Sequence, residues 1–547
     1  MKGKKILCAG LMAALAAGSA ACGTPPQQAA VENVGKNVSI LNTAGDFPIV
    51  NEPITIKALV ARHRLTEDLS TAKMWVDYAE KTNIHIEMEQ IPQENFVEKR
   101  NLVMASDDLP DVIFNNRFTC AEEHLYGSMG LLVPLNDLVD TYAPNYKAAL
   151  ENNPYVLDYL ADDNGTYYDM AHIPAPAEFK TTITQMFVYT PWMEKLGLEK
   201  PTNTQEFYDM LKAFKEQDPN GNGIADEIPL SGSIDGYGGN PIPYIMSAFQ
   251  KVGVGESLIL DNGEIVYPYA TDGYREGLRY MKKLYDEGLL SPQTFTQTKD
   301  QMIALAMNDT HILGATSGAW TGSFTIDGDP DDERYAQFEL IEPLEGPTGL
   351  KGMAEFAPSP TTRMVITKAC EYPEAMVRWQ DYLYTEEGYV YSSFGIENED
   401  WVPNTDPNLT NVNGKVATIQ SLDPSNTNLG FSGQVGVLVG SSTVGSNAYP
   451  ATQIQHNIAF AEEQKTLYAP YLENIDLPPV NFTTEENQEV EQIKAALRTH
   501  VNSCTAQFIS GALDIEADWD RYVADLKTKG LDKFIEMHKE AYERKYK

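Results

Sequence analysis

The chain reads as an α/β protein of two or more lobes, on three observations. Its 547 residues exceed what one hydrophobic core usually organises. Strand-like and helix-like runs alternate along most of it, the pattern of sheets covered by helices. Two proline- and glycine-rich stretches, Pro174-Ala175-Pro176 and Pro343 to Pro360, interrupt that alternation where a chain would cross between lobes. No internal repeat is present.

The elements follow in order. Residues 54–60 are a β-branched run and predict a strand. Residues 69–81 predict a helix with Trp75 and Tyr78 on its core face. A strand at 84–88, a helix at 94–105 and a strand at 111–114 continue the rhythm. A strand at 184–189 follows the first crossing. Asn203 with Glu206 three residues on marks a helix start, and Phe207, Met210, Leu211 and Phe214 recur at helical spacing behind it. A helix at 274–287, strands at 311–315 and 364–367, and a nearly all-helical 488–547 complete the reading. Trp75, Trp379 and Trp519 lie on helical faces and are expected in cores.

The N-terminus is a targeting segment. Lys2, Lys4 and Lys5 precede a short apolar run from Ile6 to Ala17, which is too short for an ordinary membrane span. Residues 1–21 therefore read as a signal peptide. Gly18-Ser19-Ala20-Ala21-Cys22 resembles a bacterial lipoprotein box, although Ser19 stands where Leu is usual. The alternative is secretory cleavage near Ala20 or Ala21. Lipidation at Cys22 would place the protein on the extracellular face of the cytoplasmic membrane, with 22–53 as a flexible polar tether.

The formal net charge of −37 argues against nucleic acid and anionic lipid as partners, because phosphate binding needs Lys/Arg clusters. Of five cysteines, Cys8 lies in the signal and Cys22 in the lipobox. Cys120, Cys370 and Cys504 match no zinc or disulfide spacing and read as buried thiols.

Residues 218–227 form the most specific motif. Asp218, Asn220, Asn222, Asp226 and Glu227 place side-chain oxygens at loop positions 1, 3, 5, 9 and 10, and Gly223 occupies position 6. Calcium takes about six to eight oxygens, and a glycine at the sixth position permits the sharp turn. The Ile224 carbonyl would add a seventh-position ligand. As in an EF-hand, the loop follows a helix. It departs at position 12, where Pro229 replaces the bidentate Glu. The competing reading is an Asn/Gly-rich turn without an ion.

Several segments together resemble one family. They are Ala105-Ser106-Asp107-Asp108-Leu109-Pro110-Asp111-Val112, Gly130-Leu131-Leu132-Val133-Pro134-Leu135, Trp192-Met193-Glu194-Lys195-Leu196-Gly197-Leu198 before Pro201-Thr202, and residues 218–230. Lys368-Ala369-Cys370 with Pro373-Glu374-Ala375, and Gly395-Ile396-Glu397 before Trp401, also match. The chain is similar over about 54–547 to the extracellular solute-binding proteins of ABC importers, in their large lipoprotein form. These are related to alginate- and maltodextrin-binding proteins. The resemblance implies a two-lobe, periplasmic-binding-protein-like (type II) fold with a hinge and an interlobe ligand cleft. It implies a first lobe of 54–175 plus 351–405 and a second of 176–350 plus 406–547. It implies a monomer that captures a carbohydrate for the importer's membrane permease subunits. It also implies that the calcium is structural and lies away from the sugar. One departure is Tyr189-Thr190-Pro191-Trp192, where many members carry Arg-x-Asp before the tryptophan.

Sugars present apolar C–H faces and a ring of hydroxyls, so their sites combine aromatic platforms with planar polar groups. Trp320, among small residues after a strand, and Trp401, after a loop, are the expected platforms. Trp192 and Tyr237 are further candidates. Ligands of open α/β sheets sit at the carboxyl ends of strands. Asn115 and Arg117 after the strand 111–114, and Arg62 and His63 after 54–60, are therefore candidate contacts. Enzyme signatures are absent: no nucleophile elbow, no His-Glu-x-x-His and no P-loop occur. A secreted glycoside hydrolase with two concealed carboxylates is the rival function, and a surface adhesin a third.

Overall fold

In a computed structural model, the chain folds around two separate hydrophobic cores, each built on a four-stranded sheet. The structure describes residues 31–547 except 63–67, 175–178, 235, 255–257, 327–332, 357–358, 410–414, 423–428 and 437–450. The signal peptide, Cys22 and His63 lie outside the described residues.

The labelled strands are β1 (Ile54–Arg62), β2 (Ile84–Pro92), β3 (Val112–Phe114), β4 (Gln185–Tyr189), β5 (Ile228–Ser231), β6 (Leu313–Gly318), β7 (Phe338–Ile341) and β8 (Met364–Ile366). The first sheet has the order β8-β3-β1-β2. In it β1 runs parallel to β2 and β3, and β8 runs antiparallel to β3. The second sheet has the order β5-β6-β4-β7, with β5 and β6 parallel and β4 antiparallel to both β6 and β7. Every residue of β3, β4 and β6 is buried, as expected for strands covered on both faces.

The helices form where spacing and caps predict. Asn203 Oδ1 accepts from the N–H groups of Gln205 and Glu206 at 3.0 and 2.9 Å and starts the helix Thr204–Glu216. Its Phe207, Met210, Leu211 and Phe214 are buried in the second core. Trp75 and Trp379 stack in the first core with ring centroids 6.1 Å apart, and Trp519 is buried in the second. The C-terminal region is three helices, Thr484–Ser510, Trp519–Thr528 and Leu531–Tyr546. Cys370 and Cys504 are buried free thiols, and burial pushes the partly buried Cys120 thiol up to about 12, so it is inert.

The structure corrects three expectations. Residues 31–53, expected within a flexible tether, are docked on the first core. Ile49 and Val50 are buried there, Asn37 Nδ2 donates to the Glu371 carbonyl, and Arg378 donates to the carbonyls of Asn42 and Thr43. Val34, Ile40 and Leu41 pack against the same core, and Phe47 meets Tyr382 edge-on, so scattered apolar side chains hold a polar stretch. Phe431 and Val435, expected in the second lobe, belong to the first core, where Phe431 meets Trp75 edge-on at 5.0 Å. Residues 353–354, expected in the first lobe, pair with residues 472–473, and Met353 is in the second core.

Two crossing segments join the cores side by side. His172 bridges to Thr361, and the Phe356 N–H donates to the Thr181 carbonyl at 2.7 Å. The second passage therefore lies close to β8, later in the chain than residue 351.

Candidate functional site

One edge of each sheet adjoins these crossings. On the first sheet this edge collects the end of β1 at Arg62, the loop Asn115-Asn116-Arg117 after β3, and Thr362-Arg363 before β8. Because β8 is antiparallel, its first residue, Met364, lies opposite the last residue of β3, Phe114. The Asn115 N–H donates to the Arg363 carbonyl at 2.5 Å, and the Arg117 N–H donates to Thr362 Oγ1 at 3.1 Å. Asn115 and Arg117 hold left-handed backbone, φ 43° and 54°, which non-glycine residues adopt at a cost.

A buried polar network fixes this edge from beneath. Asp169 is fully buried and accepts from the Arg363 N–H at 2.9 Å and from Asn116 Nδ2 at 2.5 Å. Asn116 Oδ1 in turn accepts from the Phe118 N–H at 2.8 Å. Glu123 is buried against Asp169, and burial followed by the repulsion of that carboxyl pushes its pKa well up. Neither Glu123 oxygen has another partner. The pair therefore shares a proton, with Glu123 the acid and Asp169 the acceptor of the N–H groups.

On the second sheet the corresponding edge carries aromatic and amide groups. Trp320 follows β6 and is 41% exposed; Tyr237 follows β5 and is 52% exposed. Their ring centroids lie 6.0 Å apart. Gly238 makes this pairing possible. A Cβ there would lie 2.0 Å from the Ile183 carbonyl oxygen and 2.5 Å from the Ala319 nitrogen, so only glycine lets the loop seat against the end of β6. Gln185 opens β4 beside them, opposite Gly318. Its Nε2 donates to the Thr182 and Ala319 carbonyls at 2.9 and 3.1 Å, and Oε1 accepts from Gln464 Nε2 at 3.2 Å. Thr321 Oγ1 and His456 Nε2 are hydrogen-bonded at 3.0 Å. The two exposed rings offer a stacking face, and the buried Gln185 amide ties together the backbone beneath them.

Two expected site residues fall elsewhere. Trp192 is 2% exposed and packs on Phe214 and His311 in the second core, so it faces no ligand. It opens a helix whose inner face is apolar, and burial won. Trp401 donates its Nε1–H to the Gly395 carbonyl and lines a groove with Asp77, Lys81, Tyr391 and Ile396 on the first unit. The structure does not bring it to Trp320. Sequence reasoning missed Gln185 and Arg363. The available signal was strand direction: antiparallel strands bring their first residues to the edge where parallel strands end.

The loop 218–227 lies apart from both edges, after the helix Thr204–Glu216 and before β5. Asp218 Oδ1 accepts from the Gly221 N–H and Oδ2 from the Gly223 N–H, at 2.8 and 3.1 Å. Asn220 and Asn222 turn their amides onto Asp226 at 2.9 and 3.0 Å. Glu227 Oε1 is buried without a partner, and burial with repulsion from Asp218 and Asp226 raises its pKa. Among the described residues no three His, Cys, Asp or Glu stand in metal-binding proximity. Here two of the oxygen donors are asparagine amides and one is the Ile224 carbonyl. The orphaned Glu227 oxygen and the convergence on Asp226 fit a hard cation, which a half-turn of each amide would meet with oxygen.

The family model for bacterial extracellular solute-binding proteins matches residues 63–390, more than half of the chain. The chain belongs to that family. It is 27% identical over 514 residues, 91% of each chain, to the fructooligosaccharide ABC transporter substrate-binding protein FusA of Streptococcus pneumoniae. The structure of FusA with kestose has a TM-score of 0.74 at 23% identity, covering 90% of this chain and 99% of that one. Another structure, of a FusA EF-hand mutant with fructo-nystose, scores 0.73 at 23% identity, over the same shares of the two chains. An HMO-binding, ABC-transporter-associated solute-binding protein from Bifidobacterium longum infantis scores 0.73 at 20% identity, over 90% of this chain and 99% of its own. These likenesses establish the two-domain solute-binding fold. Among the described residues, no helix is long and apolar enough to cross a membrane.

Proposed function

We propose that the protein captures an oligosaccharide between its two α/β units and passes it unaltered to an ABC importer. The observation that carries this reading is the exposed Tyr237–Trp320 pair, seated by Gly238 beside the held amide of Gln185. Similarity to FusA over most of both chains supports a sugar and a transporter. Closure around the sugar would be favoured only through ligand contacts to both edges. Thermal-shift screening against neutral and acidic oligosaccharides tests the reading, with mass spectrometry of the recovered ligand. A bound glycan should raise the melting temperature and be recovered intact. Trp320→Ala should weaken binding by roughly 1–3 kcal/mol, the range for losing a stacking aromatic. Its ligand-free melting temperature should change little, because the ring is largely outside the core. Hydrolysed ligand would favour the glycoside hydrolase, and unchanged affinity would remove Trp320 from the site.

The proposal extends to two accessories. The loop Asp218–Glu227 holds a structural calcium through Asp218, Asn220, Asn222, the Ile224 carbonyl, Asp226 and Glu227, away from the sugar-stacking pair. Cys22 carries a lipid that anchors a monomeric protein outside the cell, resting on the basic, apolar and small-residue succession before it. Cys22→Ala should release the protein into the medium or leave it unprocessed. A variant that is cleaved and membrane-retained like the wild type would overturn the anchor.

A further inference from the structure

We infer that the edge of the first sheet recognises an acidic group on the ligand, a carboxylate or a sulfate ester, through Arg117 and Arg363. This inference rests on the oligosaccharide reading above and narrows its chemistry.

The argument begins with where the arginines stand. Arg62 ends β1, Arg117 lies in the loop after β3, and Arg363 immediately precedes β8. These three strands are neighbours in the sheet, so all three side chains originate from one edge. That is a local concentration of positive charge in a chain of net charge −37. The general field of the protein repels anions, so an anion is held here only by groups within hydrogen-bond reach.

Two of the three guanidinium groups have unused capacity. Among the described residues, neither Arg117 nor Arg363 forms an ion pair. Arg117 makes its contact through the backbone N–H to Thr362, and its side chain has no hydrogen-bond partner there. Arg363 spends Nε on the Gly436 carbonyl at 3.0 Å and Nη1 on the Thr362 carbonyl at 3.1 Å. Those two bonds lock the plane of its fork, while Nη2 keeps its donors free among the described residues. A fixed planar fork and a second guanidinium on the adjoining loop are suited to carboxylate or sulfate oxygens. Neutral hydroxyls would leave the Arg117 charge unanswered and the Arg363 charge answered only by the buried Asp169.

The supporting structure is built rather than incidental. Asp169, fully buried, fixes the backbone of Arg363 and, through Asn116, the loop that carries Arg117. That loop keeps left-handed backbone at both Asn115 and Arg117. Asp169 is hydrogen-bonded to these N–H groups and attracts the Arg363 charge from beneath, while the Arg117 guanidinium has no carboxylate partner among the described residues. Burial, and then the nearby Arg363 charge, lowers the His172 pKa to about 4, so this ring stays neutral and adds no cation at neutral pH.

The experiment compares three probes by calorimetry on the full mature chain: trigalacturonate, a sulfated carrageenan oligosaccharide and neutral kestose. At least one acidic probe should bind more tightly than kestose, and its affinity should fall several-fold between 50 and 500 mM salt, on the order expected for a screened charge contact. Which acidic probe binds distinguishes carboxylate from sulfate. Arg117→Ala and Arg363→Gln should each weaken that probe about tenfold or more, the scale of a charge-assisted hydrogen bond to a ligand. Arg117 is in a surface loop, so its variant remains informative if Arg363→Gln fails to fold. Kestose binding more tightly than both acids, or an acid affinity indifferent to Arg117→Ala, overturns the inference and leaves the oligosaccharide reading intact. No binding across the whole neutral and acidic glycan screen overturns both.

Discussion

Asp169→Ala is expected to destabilise the protein by about 3 kcal/mol, with Glu123→Gln acting in the opposite direction at neutral pH. Alanine strands the buried Asn116 amide and the Arg363 N–H that Asp169 accepts, and hydrogen bonds to a charged acceptor are worth about 1.5–3 kcal/mol each. Alanine also removes the acceptor of the Glu123 proton and leaves that buried acid without a partner. The pH dependence follows from the same pair. Burial raises the Asp169 pKa to about 7 and that of Glu123 well above the usual carboxylate range. Above about pH 4 the unfolded chain has released protons that the folded pair still holds, so folding takes up protons. Stability from this pair is therefore fully present below about pH 4 and is lost as pH rises through about 7. Glu123→Gln keeps a donor for Asp169 without a titrating proton and should flatten that decline. Urea unfolding at pH 5 and pH 8 measures both effects. Equal pH dependence in Glu123→Gln and wild type would show that the two carboxyls do not share a proton.

Chelation of calcium is expected to lower the melting temperature markedly. An ion that binds only the folded state stabilises it by roughly 4 kcal/mol at a thousandfold excess over Kd. Burial, and then repulsion from Asp218 and Asp226, raises the Glu227 pKa, and a divalent charge in the loop would offset that repulsion. Asp226→Asn should abolish the calcium response while leaving sugar binding in excess calcium nearly unchanged, because the loop lies apart from the Tyr237–Trp320 pair. Elemental analysis without calcium, together with a melting curve indifferent to chelator, would remove the claim.

Much of the fold was legible because its periodicity is strong. Phe207, Met210, Leu211 and Phe214 mark a helix face without ambiguity, and residues 58–61 of β1 and 186–188 of β4 are unbroken apolar runs. The docking of residues 31–53 was not legible. It depends on a few apolar side chains scattered through a polar stretch, Ile49 and Val50 fully buried and Val34, Ile40 and Leu41 partly so, and on backbone carbonyls that Arg378 reaches from hundreds of residues away. Phe431 was misplaced for a similar reason, since one aromatic in a polar stretch does not say which core it joins. At the site, Trp320 could be told from Trp75 because its neighbours are small and loop-like. Trp192 could not, since a ring at a helix start is compatible with either a core or a cleft. Arg363 was invisible until pairing showed that β8 runs against β3.

The docked N-terminal segment has a mechanical consequence. Its hydrogen bonds end on Thr82, Glu371, Glu374 and Arg378, all of the first unit. Force arriving from the N-terminal side is thus delivered to one half of the molecule, by way of the helix Pro373–Asp381 and the far end of the first sheet. The half that carries Trp320 bears none of it. Under the proposed anchor, one half would be the fixed reference for the other, and a pull from the membrane would shift where the protein sits without prising its halves apart.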